Sequence, residues 1–161
     1  MRLIITGHDY SGKSTMLKEV WDSFDNRKAS YIHLSYREPT NYDFYYQTLM
    51  FDNFVMDRCF LDELIYPEVF NRKPNLTEEE ASRLLYECEA RQIKILILEC
   101  SDEEIKKRIE SRKEKEEQEV LDNILKIKER YREIARKFNI PILDTTNLSK
   151  GESSYNILEE K

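Results

Sequence analysis

The segment Gly7-His8-Asp9-Tyr10-Ser11-Gly12-Lys13-Ser14-Thr15 joins two glycines, a lysine and three serine or threonine hydroxyls at a spacing suited to holding phosphate. Glycines let a backbone curl closely around oxygens, so that successive N–H groups and the N-terminus of a following helix point at an anion. Gly7 and Gly12 are two of only three glycines in the chain, which makes a chance glycine turn at the G-x-x-x-x-G-K-S spacing a poor explanation. Lys13 adds a mobile positive charge. Ser14 is placed to ligate Mg2+, which bridges the terminal phosphates and offsets charge during transfer. The expected ligand of the loop, including Tyr10, Ser11 and Thr15, is therefore the phosphate chain of ATP.

Such a loop has to sit between a strand and a helix. Residues 3–6 are a compact apolar run, and residues 14–24 space Met16, Leu17, Val20, Trp21 and Phe24 as one helix face. Further strand-like runs occupy 30–35, 53–57, 93–100 and 140–144, and helical patterns occupy 61–70, 77–92, 101–112 and 120–138. Thr77 with Glu80, and Ser101 with Glu104, read as capping boxes. Strands alternating with helices predict a single α/β domain over 1–161, with a parallel sheet of about five strands covered on both faces.

In such a sheet, ligands sit beyond the carboxyl ends of the strands. Arg37, Glu38, Asp57 and Arg58 directly follow strand-like runs and should converge there. Arginine suits an acceptor phosphate because its planar fork binds two oxygens at once, so Arg37 and Arg58 are candidates, with surface ion pairs as the plainer alternative. Asp57 is expected to hold Mg2+ through water rather than to take a proton, since phosphoryl transfer rests mainly on positioning and charge stabilisation. The loop alone does not name a reaction. A GTP switch would carry an N-K-x-D guanine-reading segment, which this sequence lacks.

Read in order, the loop and four further segments resemble thymidylate kinases, a family of nucleoside monophosphate kinases, over most of the chain. The loop looks like that family's G-x-D-x-x-G-K-S-T, which would bring Asp9 near the acceptor sugar's 3′-hydroxyl. Arg37-Glu38-Pro39 is similar to its R-E-P, although the two glycines that follow in the family are missing. Asp57-Arg58 matches its D-R pair, Tyr66 falls at its tyrosine, and Arg130-Tyr131-Arg132-Glu133-Ile134-Ala135 with Ile142-Leu143-Asp144 looks like its last long helix and final strand. The resemblance implies a P-loop NTPase fold with a helical lid, and ATP-dependent phosphorylation of a deoxynucleoside monophosphate of the dTMP or dUMP kind. It implies acceptor contacts from Asp9, Arg37, Glu38, Arg58, Glu63 and Tyr66, the last beside carbon 2′ of the sugar. Similar proteins form homodimers, which adds a homodimer as an option, and compact relatives occur in viruses of bacteria.

Where the family often has small hydroxyl or amide residues, this chain has Asp62 and Glu63, which only accept hydrogen bonds and suit a base presenting N–H donors. Tyr42, Phe44, Tyr45, Tyr46 and Phe51 form an aromatic cluster, read as core first and as a base-stacking surface second. Transfer also needs a cation on the moving phosphoryl group, and the neutral Tyr10 and Ser11 offer none in the loop. A closing lid over 101–119 would bring it, with Arg108 and Arg112 four residues apart on one helix face and Lys113 and Lys115 beside them. Exposed helical ion pairs are the alternative for these residues. Glu38-Pro39 also resembles the catalytic E-P of deoxynucleoside kinases, where Glu38 would be the base for a 5′-hydroxyl. A non-catalytic ATP-binding module is the third reading.

The totals exclude other classes. With 161 residues, a formal net charge of -6 and a pI near 5.2, the chain lacks the basic surface of a protein that coats nucleic acid polymers. Cys59, Cys88 and Cys100 are too few and too scattered for a disulfide framework or a zinc site, and no apolar run is long enough to span a membrane. A cytoplasmic protein whose partners are ATP and a small deoxynucleotide is expected.

Overall fold

Side chains alternate in direction along the first strand, β1 (Arg2–Gly7): Leu3 and Ile5 face one way and Ile4 the other, all three enclosed. A strand buried on both faces belongs at the centre of a parallel sheet. The computed structural model, which describes residues 1–23, 29–35, 40–112 and 118–148 (118–120 by backbone alone), places it there. Four more strands, β2 (Ser30–His33), β3 (Phe54–Asp57), β4 (Lys94–Glu99) and β5 (Ile142–Asp144), complete one five-stranded sheet in the order β2-β3-β1-β4-β5. Every pairing is parallel, with Ile5 opposite Asp57 on one side and Leu96 on the other.

Helix α1 (Lys13–Ser23) covers one face, packing Met16, Leu17 and Val20 on Leu3, Ile5, Val55 and Leu98. The opposite face lies under α2 (Tyr42–Thr48), α4 (Glu78–Ala90) and α6 (Gln118–Phe138), which contribute Tyr45, Leu84, Cys88, Ile127 and Tyr131 to the larger core. Helix α5 (Asp102–Ser111) joins α6 through Ile105 and Ile124. The chain therefore leaves β1 toward one face and β3 toward the other. The crevice between their carboxyl ends is where such sheets bind ligands.

Three local readings differ from the structure. The run 61–70 is not one helix but a 3-10 helix (Phe60–Leu64) followed by the short α3 (Tyr66–Val69). Pro67 has no N–H to donate back to residue 63, so a continuous helix cannot pass this point. Helix α2 was not anticipated, because its aromatic residues masked the local cue: the Asn41 side chain accepts from the Phe44 N–H at 3.0 Å as an N-cap. The α4 capping box forms in both directions, with Thr77 N–H on Glu80 and Glu80 N–H on Thr77. At α5 only half forms. Ser101 caps Glu104, but the Ser101 N–H donates to Thr146 at 2.8 Å and Glu104 turns to Arg108.

Candidate nucleotide site

The loop between β1 and α1 has backbone geometry that demands glycine at both ends. Gly7 has φ +145°, and a Cβ there would lie 2.2 Å from the Leu98 carbonyl oxygen of the neighbouring strand; Gly12 has φ +91°. Between them Tyr10 sits at φ 65°, a conformation that costs a residue with a side chain energy of order 1 kcal/mol. Remote groups hold it. Arg108 Nη1 donates to the Tyr10 carbonyl at 2.8 Å, the Thr145 hydroxyl to the Ser11 carbonyl at 2.7 Å, and the Cys100 N–H to His8 Nε2 at 3.3 Å. Since Nε2 accepts that bond, His8 carries its proton on Nδ1 and donates to the Asp9 carbonyl at 2.7 Å. Burial lowers the His8 pKa to about 4, so the ring is neutral.

Lys13 turns back over the loop it follows, donating to the Gly7 and His8 carbonyls, both at 2.7 Å. It is buried, and burial is the main reason its pKa falls to about 8, with repulsion from Arg58 adding to the effect and Asp9, Asp62 and Asp57 opposing it. Ser14 and Thr15 are exposed in the first turn of α1, where the N–H groups have no partner within the helix. Asp57, at the end of β3, is almost fully buried. One oxygen receives His33 Nδ1 at 2.8 Å, while Oδ1 is buried without a hydrogen-bond partner. A buried, half-satisfied carboxylate in the same cavity as the Ser14 hydroxyl suits a hydrated divalent cation, so these residues fit Mg2+.

Two cavities meet here. The first, of about 320 Å³, follows the loop from Asp9 to Thr15 and is closed by His33, Asp57, Arg58 and Arg112. The second, of about 430 Å³, lies between β2, the 3-10 helix and α3, and its lining includes Thr40, Tyr45, Glu63, Tyr66, Phe70, Arg72 and Lys73. Asp9, His33 and Arg58 line both. Arg58 is the pivot. It takes φ 69° immediately after β3, its N–H still paired to the Ile5 carbonyl, so that its guanidinium meets Asp9 at 3.1 Å and lies 5.2 Å from the Tyr66 ring centre. Burial opposes its charge, but the oxygens of Tyr66, Asp62, Tyr131 and Asp9 outweigh that and raise its pKa.

A further cavity of about 470 Å³ opens on the other side of the loop, between α1, α5 and the segment after β5. Arg108 and Arg112 both line it but are used differently. Arg108 is engaged along its whole fork, with Glu104, the Tyr10 carbonyl, the Thr145 hydroxyl and the Thr145 carbonyl. Arg112 is exposed, lies 4.9 Å from the Tyr10 ring centre, makes no ion pair among the described residues, and also lines the phosphate-loop cavity. Arg37, Glu38, Lys113 and Lys115 lie outside the described residues.

The two adjacent carboxylates read as base contacts also separate. Asp62 accepts from Thr6 at 2.6 Å, from Tyr131 and from the Cys59 N–H at 3.2 Å, tying α6 to the end of β1 and capping the 3-10 helix. Glu63 accepts from Thr40 at 2.7 Å and from Tyr45 at 3.3 Å, both on Oε1. The aromatic cluster divides as well: Tyr45 is buried and reaches the second cavity, Tyr42 and Tyr46 pack on each other, and Phe44 and Phe51 face outward. His33, Thr40, Phe70, Arg72, Lys73 and Thr145 had no marker in the sequence beyond their types. They gain a place here only because distant segments converge.

No protein-family model matches the chain, and no curated protein matches it. Solved structures do. The YorR protein of Bacillus subtilis, in complex with phosphorylated GDP, superposes with a TM-score of 0.80 over 97% of this chain and 93% of that one, at 24% identity. Deoxyadenosine kinase of M. mycoides with bound dATP gives a TM-score of 0.56 over 98% and 97% at 15% identity. Polyphosphate kinase 2 of Arthrobacter aurescens TC1 gives 0.64 over 98% of this chain and 64% of that one at 12% identity. Together with the parallel five-stranded sheet and the glycine loop, these likenesses show that the chain has the α/β fold of P-loop NTPases.

Proposed function

We propose that the protein is a nucleoside monophosphate kinase that transfers the terminal phosphoryl group of ATP to the phosphate of a deoxynucleoside monophosphate. The observation that carries this reading is the shared wall of Asp9, His33 and Arg58 between the phosphate-loop cavity and the second cavity. A donor phosphate chain on one side and an acceptor phosphate on the other would meet at Arg58, whose planar fork suits phosphate oxygens. The nucleoside part of ATP would occupy the cavity beside Arg108, Arg112 and Thr145.

In this reading Lys13 and the first-turn N–H groups of α1 bind the terminal phosphates of ATP, and Arg112 brings the cation that meets the moving group. Ser14 and Asp57 would hold Mg2+, which offsets phosphate charge when bound. Tyr66 would stand beside the acceptor sugar and favour deoxyribose, and Arg37 and Glu38 would complete the acceptor side. The resemblance to thymidylate kinases favours dTMP or dUMP as acceptor, whereas the YorR structure holds a guanine nucleotide in the same fold. The base turns on Glu63.

The test is a panel of nucleosides and monophosphates offered as acceptors with ATP. Removing the acceptor phosphate forfeits at least one charge-assisted bond of about 1.5–3 kcal/mol, so monophosphates should be preferred by more than tenfold, and Arg58→Ala should erase most of that preference. Equal or faster use of the nucleosides would move the protein to the nucleoside kinases, the activity named for the M. mycoides neighbour. No acceptor-dependent ATP consumption would leave a nucleotide-binding module.

A further inference from the structure

Glu63 stands in the acceptor-side cavity with its two oxygens in different states. Oε1 is spoken for, because the Thr40 and Tyr45 hydroxyls both donate to it. Tyr45 is itself buried, and burial raises its pKa, so its hydroxyl keeps the proton it donates. Oε2 receives no hydrogen bond or ion pair from any other described residue. Its neighbour Asp62 is excluded from ligand binding by the bonds from Thr6, Tyr131 and the Cys59 N–H. Glu63 lines this cavity, and one of its carboxylate oxygens therefore remains without a partner among the described residues; it can only accept.

We propose that Glu63 reads the acceptor base and selects guanine over thymine and uracil. The proposal rests on the kinase reading above for the location of the acceptor. The two lone pairs of Oε2 can accept from two adjacent N–H donors converging on one oxygen, and among the common bases only guanine offers such a pair, at N1 and the 2-amino group. Thymine and uracil present a single N3–H between two carbonyl oxygens, which a carboxylate repels. Adenine and cytosine present one amino group beside a ring nitrogen that also accepts, so half of the edge is mismatched. Rejection of a wrong base follows from the unpaired charge and the opposed lone pairs as much as from lost bonds. The hydroxyls of Thr40 and Tyr45 make the selection rigid, since they fix which oxygen faces the protein.

The same two hydroxyls give the test its sign. In Glu63→Gln they still demand an acceptor, so the amide turns its oxygen to Thr40 and Tyr45 and its NH2 to the position of Oε2. A donor then faces the base. The acceptor panel is dGMP, dAMP, dCMP, dTMP and dUMP with ATP, read as kcat/KM, with calorimetric binding of dGMP and dTMP alongside. The parent should favour dGMP over dTMP by at least tenfold, and Glu63→Gln should lower dGMP use at least tenfold while raising dTMP relative to it. Thr40→Val, which removes one orienting hydroxyl and leaves the carboxylate, should narrow the preference without reversing it. Parent activity on dTMP equal to or above that on dGMP, or an unchanged ranking in Glu63→Gln with an unchanged melting temperature, overturns the assignment. If no monophosphate is phosphorylated, selective dGMP binding lost in Glu63→Gln would sustain the assignment while refuting the kinase reading. Absence of that selectivity would refute both.

Discussion

Arg108 and Arg112 share a helix face, yet truncating them should have opposite consequences. Arg108→Ala removes bonds to the Tyr10 carbonyl and Thr145 carbonyl at 2.8 Å each, to the Thr145 hydroxyl at 3.2 Å and to Glu104 at 2.9 Å. A bond from a charged donor contributes about 1.5–3 kcal/mol net, but these share one side chain that is 23% exposed, and water can replace part of them. The expected loss is about 2–4 kcal/mol, or about 5–12 °C in Tm for a chain of this size. The phosphate loop also loosens, so KM for ATP should rise. Arg112→Ala forfeits only an exposed contact with the Tyr10 ring, worth below about 1 kcal/mol. Its Tm should stay within about 3 °C of the parent, while kcat falls by about tenfold or more through loss of a cation at the moving phosphoryl group. Differential scanning calorimetry and initial-rate kinetics on the two variants decide the matter. Arg108→Lys should not restore Tm, since an ammonium cannot span the same acceptors as the planar fork. A parent-like Tm in Arg108→Ala refutes the clamp, and a parent-like kcat in Arg112→Ala refutes the lid cation.

Lys13→Met should lower turnover by about a hundredfold or more; in the ligand-free protein it removes a buried ammonium whose charged form costs stability, since its pKa is lowered from 10.5 to about 8, but it also forfeits the bonds to the Gly7 and His8 carbonyls. That charge cost is fully present below pH 8 and fades between pH 8 and 10.5, so the Tm of the variant relative to the parent should fall across this window; a difference independent of pH refutes the assignment. His8 gives the companion window. Its pKa is lowered from 6.5 to about 4, so the stability that its neutral ring confers is intact above pH 6.5 and lost as pH falls toward 4. Replacing it by Asn should flatten the pH dependence of unfolding measured by urea titration over that range.

The sequence by itself determined the class of the fold and the glycine loop around which the candidate site is built. Phosphate loops are local objects: glycines at residues 7 and 12, Lys13 and Ser14 act within one turn of chain, between a strand and a helix whose periodicities are also local. Five strands and most helices were legible for the same reason. The missed α2 and the divided run after Phe60 show the limit even there, since aromatic content hid an Asn41 cap and Pro67 broke a continuous pattern.

Tertiary structure alone decided which side chains remain available for chemistry. Asp62 and Glu63 are adjacent and chemically alike, but Tyr131 and Thr6 arrive from 69 and 56 residues away to occupy the first. Arg108 and Arg112 are equivalent on a helical wheel, and the approach of the Tyr10 carbonyl and of Thr145, 37 residues on, engages one of them. His33 gains its place from register, since it lies opposite Asp57 in the β2–β3 pairing. Periodicity states which face a residue occupies. Whether a polar atom on that face is still free depends on hydrogen bonds from segments the local pattern does not contain.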